Sequence, residues 1–328
     1  MNELRKESVT YIQVDDEETD QRLDNFLLRR CKGVPKSHVY RIVRSGEVRV
    51  NGKRAEVSHR LQGGDLIRIP PIRIAVKEID QKTSEITGKA HNIEFSVLFE
   101  DDAFLAINKE AGLAVHGGSG VDLGVIEALR IQRPECRFLE LAHRLDRETS
   151  GVLLIGKKRS ALRELHAMFR EGRSDKRYLA LVSGTWQEKI RDIRLPLYKY
   201  LTAEGERRVT VNEEQGQFSH TIFRKISSGQ NFSLLEAQLK TGRTHQIRVH
   251  LAHLGHPILG DEKYGDFSLN KVLPKQGLKR MFLHAQKISF AHPLTGLSIV
   301  IQADLPKELT RFLKILRDSG DLENGSAL

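Results

Sequence analysis

The sequence predicts an α+β protein: a small basic module followed by a larger domain with a mostly antiparallel mixed sheet. Three observations carry this expectation. Apolar runs after residue 93 are mostly of strand length and are divided by turns instead of alternating with helices. Segments with helical periodicity are few. Positive charge is concentrated near the start, with 13 Lys or Arg against 4 Asp or Glu between Gln21 and Arg73. Of the net charge of +10, only +6 is left for the 255 residues that follow, because residues 1 to 20 are acidic, with 2 basic against 7 acidic groups. A disordered or collagen-like chain is excluded by 39% hydrophobic residues and by 26 Gly and 9 Pro scattered without period.

The elements follow in chain order. Residues 1–19 are set apart as an acidic N-terminal segment, and 20–75 form the basic module. Leu23, Phe26 and Leu27 recur at helical spacing, and Val39, Ile42 and Val43 repeat the pattern after Gly33-Val34-Pro35. Ser37 is expected to cap the second helix and Gly46 to end it. Lys36, Arg41 and Arg44 fall largely away from its apolar stripe. Residues 47–50 alternate as a strand, Asn51-Gly52 supplies a tight turn, and Leu66 to Ile69 returns before Pro70-Pro71. Residues 76–92 lack apolar periodicity and read as a flexible linker.

The main domain is expected over 93–317, with strands at Phe95–Phe99, Phe104–Ile107, Phe138–Leu141, Val152–Ile155, Tyr178–Val182, Phe232–Leu239 and Leu297–Ile301. Helices are expected at Ala161–Glu171, Thr244–Leu254 and Pro306–Arg317, and residues 318–328 read as a flexible tail.

No apolar stretch approaches the ~18 residues of a membrane helix, and the acidic start lacks the apolar region of a signal peptide. Cys31 and Cys136 are the only cysteines, too few for a disulfide framework. A monomeric cytoplasmic protein is expected. His250, His253 and His256 are spaced like metal ligands, but three residues per step carry a helix through 300° and Gly255 interrupts, so no metal is expected. His116 to Gly120 has neither the nucleophile elbow of a hydrolase nor a phosphate-loop ending, and no nucleotide or other cofactor is called for.

One segment concentrates chemistry. Leu141-Ala142-His143-Arg144-Leu145-Asp146-Arg147-Glu148-Thr149-Ser150-Gly151 joins two apolar strands and packs five ionisable residues into the junction. Turn-forming Asp and Thr on a charged surface would account for its composition alone. Its order goes further: His143-Arg144-Leu145-Asp146-x-x-Thr149-Ser150-Gly151 resembles the signature loop of the RluA-type pseudouridine synthases. Lys176-Arg177-Tyr178-Leu179-Ala180 is similar to that family's tyrosine-bearing strand, and Thr241 to His250 to its third motif, with Gly255-His256-Pro257-Ile258 and Leu283-His284-Ala285 following in order. The N-terminal stretches Arg22-Leu23-Asp24, Val34-Pro35-Lys36-Ser37, Gly46 to Gly52 and Gly64-Asp65 resemble an S4 domain. The likeness spans about residues 20 to 317 and is nearest to the branch acting on large-subunit ribosomal RNA.

That resemblance implies the pseudouridine synthase fold and an isomerase that flips a uridine out of folded RNA, breaks its C1′–N1 bond and joins C5 to C1′. It implies Asp146 as the carboxylate that attacks C1′ or removes the C2′ proton, Arg248 as its cationic partner and Tyr178 against the uracil. It places Arg144 in the RNA, with His143, Thr149, Arg243 and His245 supporting the site. In the basic module Arg22, Lys36, Arg41, Arg44, Arg49, Lys53 and Arg54 are the expected phosphate contacts. Large-subunit ribosomal RNA is the expected substrate; transfer RNA with the same chemistry, or a non-catalytic assembly factor, are the alternatives.

Overall fold

The computed structural model describes residues 8–31, 34–72, 85–118 and 123–323. The chain divides into two compact units, Met1–Gly88 and Lys89–Leu328. The first holds β1 (Thr10–Gln13), a 3-10 turn (Asp16–Glu18), α1 (Leu23–Arg30), α2 (Lys36–Arg44), β2 (Arg49–Val50) and β3 (Leu66–Ile69). Its sheet is antiparallel in the order β1-β3-β2. The helical stripes Leu23, Phe26, Leu27 and Val39, Ile42, Val43 bury against Ile12, Val14, Ile67 and Ile69 of the sheet side.

Three expectations about this unit change. The acidic start is not a separate segment, because β1 pairs with β3, and Thr10, Ile12 and Val14 alternate inward beneath the charges that obscured them. Ser37 lies inside α2, whose N-cap is Pro35, while Gly46 at φ 78° does follow its end. Within the stretch read as linker, residues 85–91 form a helix (α3). Ala90 is buried there, and Gln132 ties the helix end down by donating to the carbonyls of Ala90 and Ile93 at 2.7 and 2.6 Å. One buried alanine leaves little periodicity to read. The rest of that stretch up to residue 84, and Gly33 and Gly120 of the motifs above, lie outside the described residues.

The second unit runs β4 (Ser96–Glu100), β5 (Phe104–Lys109), α4 (Val125–Gln132), β6 (Glu140–Leu141), β7 (Ser150–Gly156), α5 (Arg159–Arg170), β8 (Ser174–Ser183), β9 (Ile190–Ile193), β10 (Leu197–Leu201) and β11 (Arg207–Val211). It continues with β12 (Thr221–Ser228), β13 (Phe232–Leu239), α6 (Gln246–His253), α7 (Phe267–Val272), a 3-10 turn (Leu273–Gln276), β14 (Leu283–Ala291), β15 (Ser298–Gln302) and α8 (Lys307–Asp318). The main sheet is ordered β4-β5-β7-β14-β8-β13-β12-β9, with β15 on β14 and β6 on β7, while β10 and β11 pair separately as a hairpin. Every described pairing in it is antiparallel except β14 with β7. The tail does not hang free before residue 323: Leu322 is buried, and Glu323 bonds β12 through the Ser228 carbonyl at 3.3 Å. Residues 324–328 lie outside the described part. Among the described residues no helix is long and apolar enough to cross a membrane.

Candidate active site

The parallel β7–β14 contact fixes one wall of the site. His284 pairs with Ser150 and Ala285 with Gly151, and Gly151 sits at φ 111° where a Cβ would run into the Ala285 carbonyl, so only glycine lets the strands meet. The loop entering β7 is held from several sides. His143 accepts the Leu154 N–H on Nε2 at 3.0 Å and packs on the Phe169 ring, and burial pushes its imidazole down to about 3, so it serves as a neutral acceptor. Lys109, 1% exposed, donates to the carbonyls of Glu110, Leu113 and Arg147. Asp146 and the Thr149 N–H close the turn at 3.1 Å, with Thr149 buried.

These restraints present Asp146 to a cleft of about 460 Å³. The same cleft is lined by His143, Arg144, Thr149, Tyr178, Arg243, His245 and Arg248, so all eight residues expected in this unit converge there from three separate stretches of chain. Arg144 is exposed, and its side chain has no hydrogen bond or ion pair with another described residue. Tyr178 comes from the middle of β8, opposite Ala237, and is 8% exposed. Burial, then the nearby Asp146 charge, push its phenol well above the ordinary tyrosine range, so the ring stands there as a neutral phenol.

Arg248 lies on α6, whose first turn is set by side-chain bonds. Gln246, fully buried, accepts from the Thr241 hydroxyl and the Arg243 N–H and donates to the His220 carbonyl and the Thr221 hydroxyl. Arg243 points its guanidinium to the Phe218 carbonyl at 3.0 Å and is exposed. His245 takes the left-handed conformation, φ 53°, as the residue before the helix. From α6 the Arg248 guanidinium reaches Asp146 Oδ2 at 3.0 Å and grips Asp261 with two bonds of 2.7 and 2.8 Å. Burial works against the Arg248 charge, but Asp261 and then Asp146 outweigh it and hold its pKa above the ordinary value. Asp261, 1% exposed, also accepts the N–H groups of Lys263 and Tyr264, and Arg248 keeps its carboxyl below the usual range against the cost of burial.

Tyr264 underlies this group. The Arg248 guanidinium stands 5.1 Å from its ring, and its hydroxyl lies 2.7 Å from His245 Nδ1 and 3.0 Å from the Val209 N–H. Burial pushes the His245 imidazole down to about 4, despite Asp146 3.8 Å from its Nε2. With Tyr264 accepting from Val209 and donating to Nδ1, the neutral ring carries its proton on Nε2, facing Asp146.

Sequence reasoning missed Asp261 and Tyr264. The signal was available in principle: a buried arginine shared with a carboxylate at an open cleft calls for a second, buried anion. The histidines spaced like metal ligands are otherwise engaged, His250 with Ser219 and Thr221, and His256 with the Ser183 carbonyl.

In the first unit the expected cations do not form one cluster. Arg49 and Arg54 line a groove of about 570 Å³ with Tyr11 and Arg68, neither of which was expected. Lys36 and Arg44 flank the Tyr40 ring at 5.4 and 5.9 Å, and Arg41 reaches His38. Lys53 is exposed. Arg22 departs from the expectation: it pairs with Asp24 through two bonds of 3.1 and 2.8 Å, and Asp24 also accepts from Tyr40, so its geometry is that of a fold contact.

Comparison with known proteins finds relatives of both units. The family described as RNA pseudouridylate synthase matches residues 103–253, and the S4 domain matches residues 21–67. Ribosomal large subunit pseudouridine synthase C of Haemophilus influenzae is 51% identical over 312 residues, covering 95% of this chain and 96% of that protein. The Escherichia coli protein of the same name is 48% identical over 314 residues, covering 95% and 98%. Among solved structures, human RNA pseudouridylate synthase domain containing 4 aligns with a TM-score of 0.59 at 25% identity, covering 75% of this chain and 100% of that one. Human RNA pseudouridylate synthase domain containing 1 gives 0.53 at 26%, covering 70% and 96%.

Proposed function

The chain belongs to the RNA pseudouridylate synthase family and is an isomerase of RNA uridines, and on that premise we propose that its substrate is large-subunit ribosomal RNA. The observation that carries this reading is the near-full-length likeness, through both units, to proteins named for the ribosomal large subunit. A net excess of nine positive charges between Gln21 and Arg73 suits a structured RNA partner. The reading includes a protein working in the cytoplasm, where ribosomal RNA is made and assembled in bacteria such as those its relatives come from.

In this reading Asp146 is the carboxylate that the isomerisation needs beside the ribose. Its carboxylate accepts a bond from Arg248 at 3.0 Å, and Asp261 shares the same arginine, so the guanidinium has an anion on both sides. From Asp146 the reaction starts either by attack at C1′ or by removal of the C2′ proton; each breaks the C1′–N1 bond and frees the uracil from C1′. After the ring turns, C5 bonds to C1′, displacing the Asp146 carboxylate on the first route or with Asp146 returning the proton to C2′ on the second; the C5 proton then leaves and N1 takes up a proton, so atoms and electrons balance without an external reductant or oxidant. Tyr178, held as a neutral phenol, supplies a ring face for the turning uracil. Arg144, exposed at the cleft with no side-chain partner among the described residues, is suited to stack in the space the flipped base leaves.

Tritium release from RNA labelled at uridine C5 tests the substrate. Release from large-subunit ribosomal RNA, with none from bulk transfer RNA, is the expected result. Release from transfer RNA alone would overturn the assignment while leaving the chemistry in place.

A further inference from the structure

One half-buried cation of the cleft has no counterpart in the chemistry above. Lys176 precedes Tyr178 by two residues on β8, so both side chains lie on the same face of the strand, and Lys176 also lines the cleft. Its surroundings are apolar. Nζ lies 5.3 Å from the centre of the Phe169 ring, and a Cβ on Gly242 would sit only 3.9 Å from it. It forms no hydrogen bond or ion pair with a described residue. Arg248, by contrast, is shared by two carboxylates. An ammonium without an anion is a cost to the folded chain unless a ligand brings one.

The permanent anions of an RNA nucleotide are its phosphates; base and ribose are neutral until the glycosidic bond breaks. Arg170 and Arg243, both exposed, line the same cleft as Lys176 and Gly242. We propose that Lys176 binds a phosphate adjoining the flipped uridine, and so fixes how deeply the ribose enters toward Asp146. Burial pushes the amine down to about 8, which leaves most of it charged at neutral pH and lets a phosphate restore the rest.

This inference rests on the pseudouridine synthase reading, and its test separates the two. Wild type, Lys176→Met and Lys176→Arg are compared on a short RNA substrate carrying an ordinary backbone, or a neutral methylphosphonate on the 5′ or the 3′ side of the target uridine. On ordinary RNA, Lys176→Met should lower kcat/KM by roughly 10- to 100-fold, the scale of one charge-assisted hydrogen bond, and Lys176→Arg should recover part of it. For wild type, one of the two methylphosphonates should cost a similar factor; for Lys176→Met that same substitution should cost almost nothing. Thermal melting of Lys176→Met should not fall, because the change removes a half-buried charge that has no ion-pair partner among the described residues and keeps an apolar stem on Phe169. Losses that multiply for both methylphosphonates, or a melting temperature that drops along with activity, would overturn the inference. Absence of turnover by wild type on ordinary RNA would instead count against the substrate reading.

Discussion

Asp146→Ala is expected to remove turnover, by at least ~10³-fold, while RNA affinity stays within about 3-fold of wild type. The two readouts separate because they depend on different groups. Affinity is expected to come mainly from phosphate contacts spread over exposed Lys and Arg, whereas Asp146 is proposed to act at the reacting ribose. Folding should survive the change. Without Asp146, Arg248 still has both of its bonds to Asp261, so no buried charge is left unpaired. Asp146→Asn should behave in the same way, since an amide neither attacks C1′ nor takes the C2′ proton at neutral pH. Single-turnover tritium release beside filter binding checks both halves. Turnover retained in either variant would remove Asp146 from its proposed role.

The second large effect is expected from a residue that never meets the substrate. Asp261→Ala takes away the only carboxylate that grips Arg248 with two bonds, and it also strands the N–H groups of Lys263 and Tyr264. Breaking one partner of a buried pair costs about 3–5 kcal/mol, which for a unit of this size lowers the melting temperature by roughly 6–20 °C. Turnover should fall as well, by roughly 100-fold, because the freed guanidinium can follow Asp146 out of its position. Asp261→Asn keeps an acceptor for the two N–H groups and should recover much of the stability but little of the rate. Equal recovery of both would mean that Asp261 acts only through packing.

Much of the fold could be read along the chain. The run Phe232–Leu239 is a strand over those same residues, and the periodic stretches beginning at Ala161, Thr244 and Pro306 are helices. What escaped was amphipathic or dominated by tertiary contacts. β14 lies in the middle of the main sheet, yet His284, Gln286 and Lys287 interrupt its apolar pattern; His284 is buried only because Ser150 and the Ala303 carbonyl satisfy its ring. β1 was hidden by the acids around it. At the site, the order of residues His143 to Gly151, through its resemblance to a known signature loop, marked Asp146; the density of charge there would by itself suit a surface turn equally well. Asp261 had no such mark, since it lies in a turn 13 residues beyond Arg248 and acquires its meaning from burial and a bidentate contact that no periodicity encodes. Lys176 was visible as part of a strand, but the lack of a counterion is a property of the folded cleft.

The central claim is that Asp146 is held ready by an arginine that Asp261 locks in place. A double-mutant cycle in single-turnover tritium release tests it most directly, using Arg248→Met, Asp261→Asn and the two together. If Asp261 acts only through Arg248, the double variant should turn over no more slowly than Arg248→Met alone, because once the arginine is gone its lock has nothing to hold. Losses that multiply, with the double variant slower than Arg248→Met by the full Asp261→Asn factor, would show two independent roles and contradict the account.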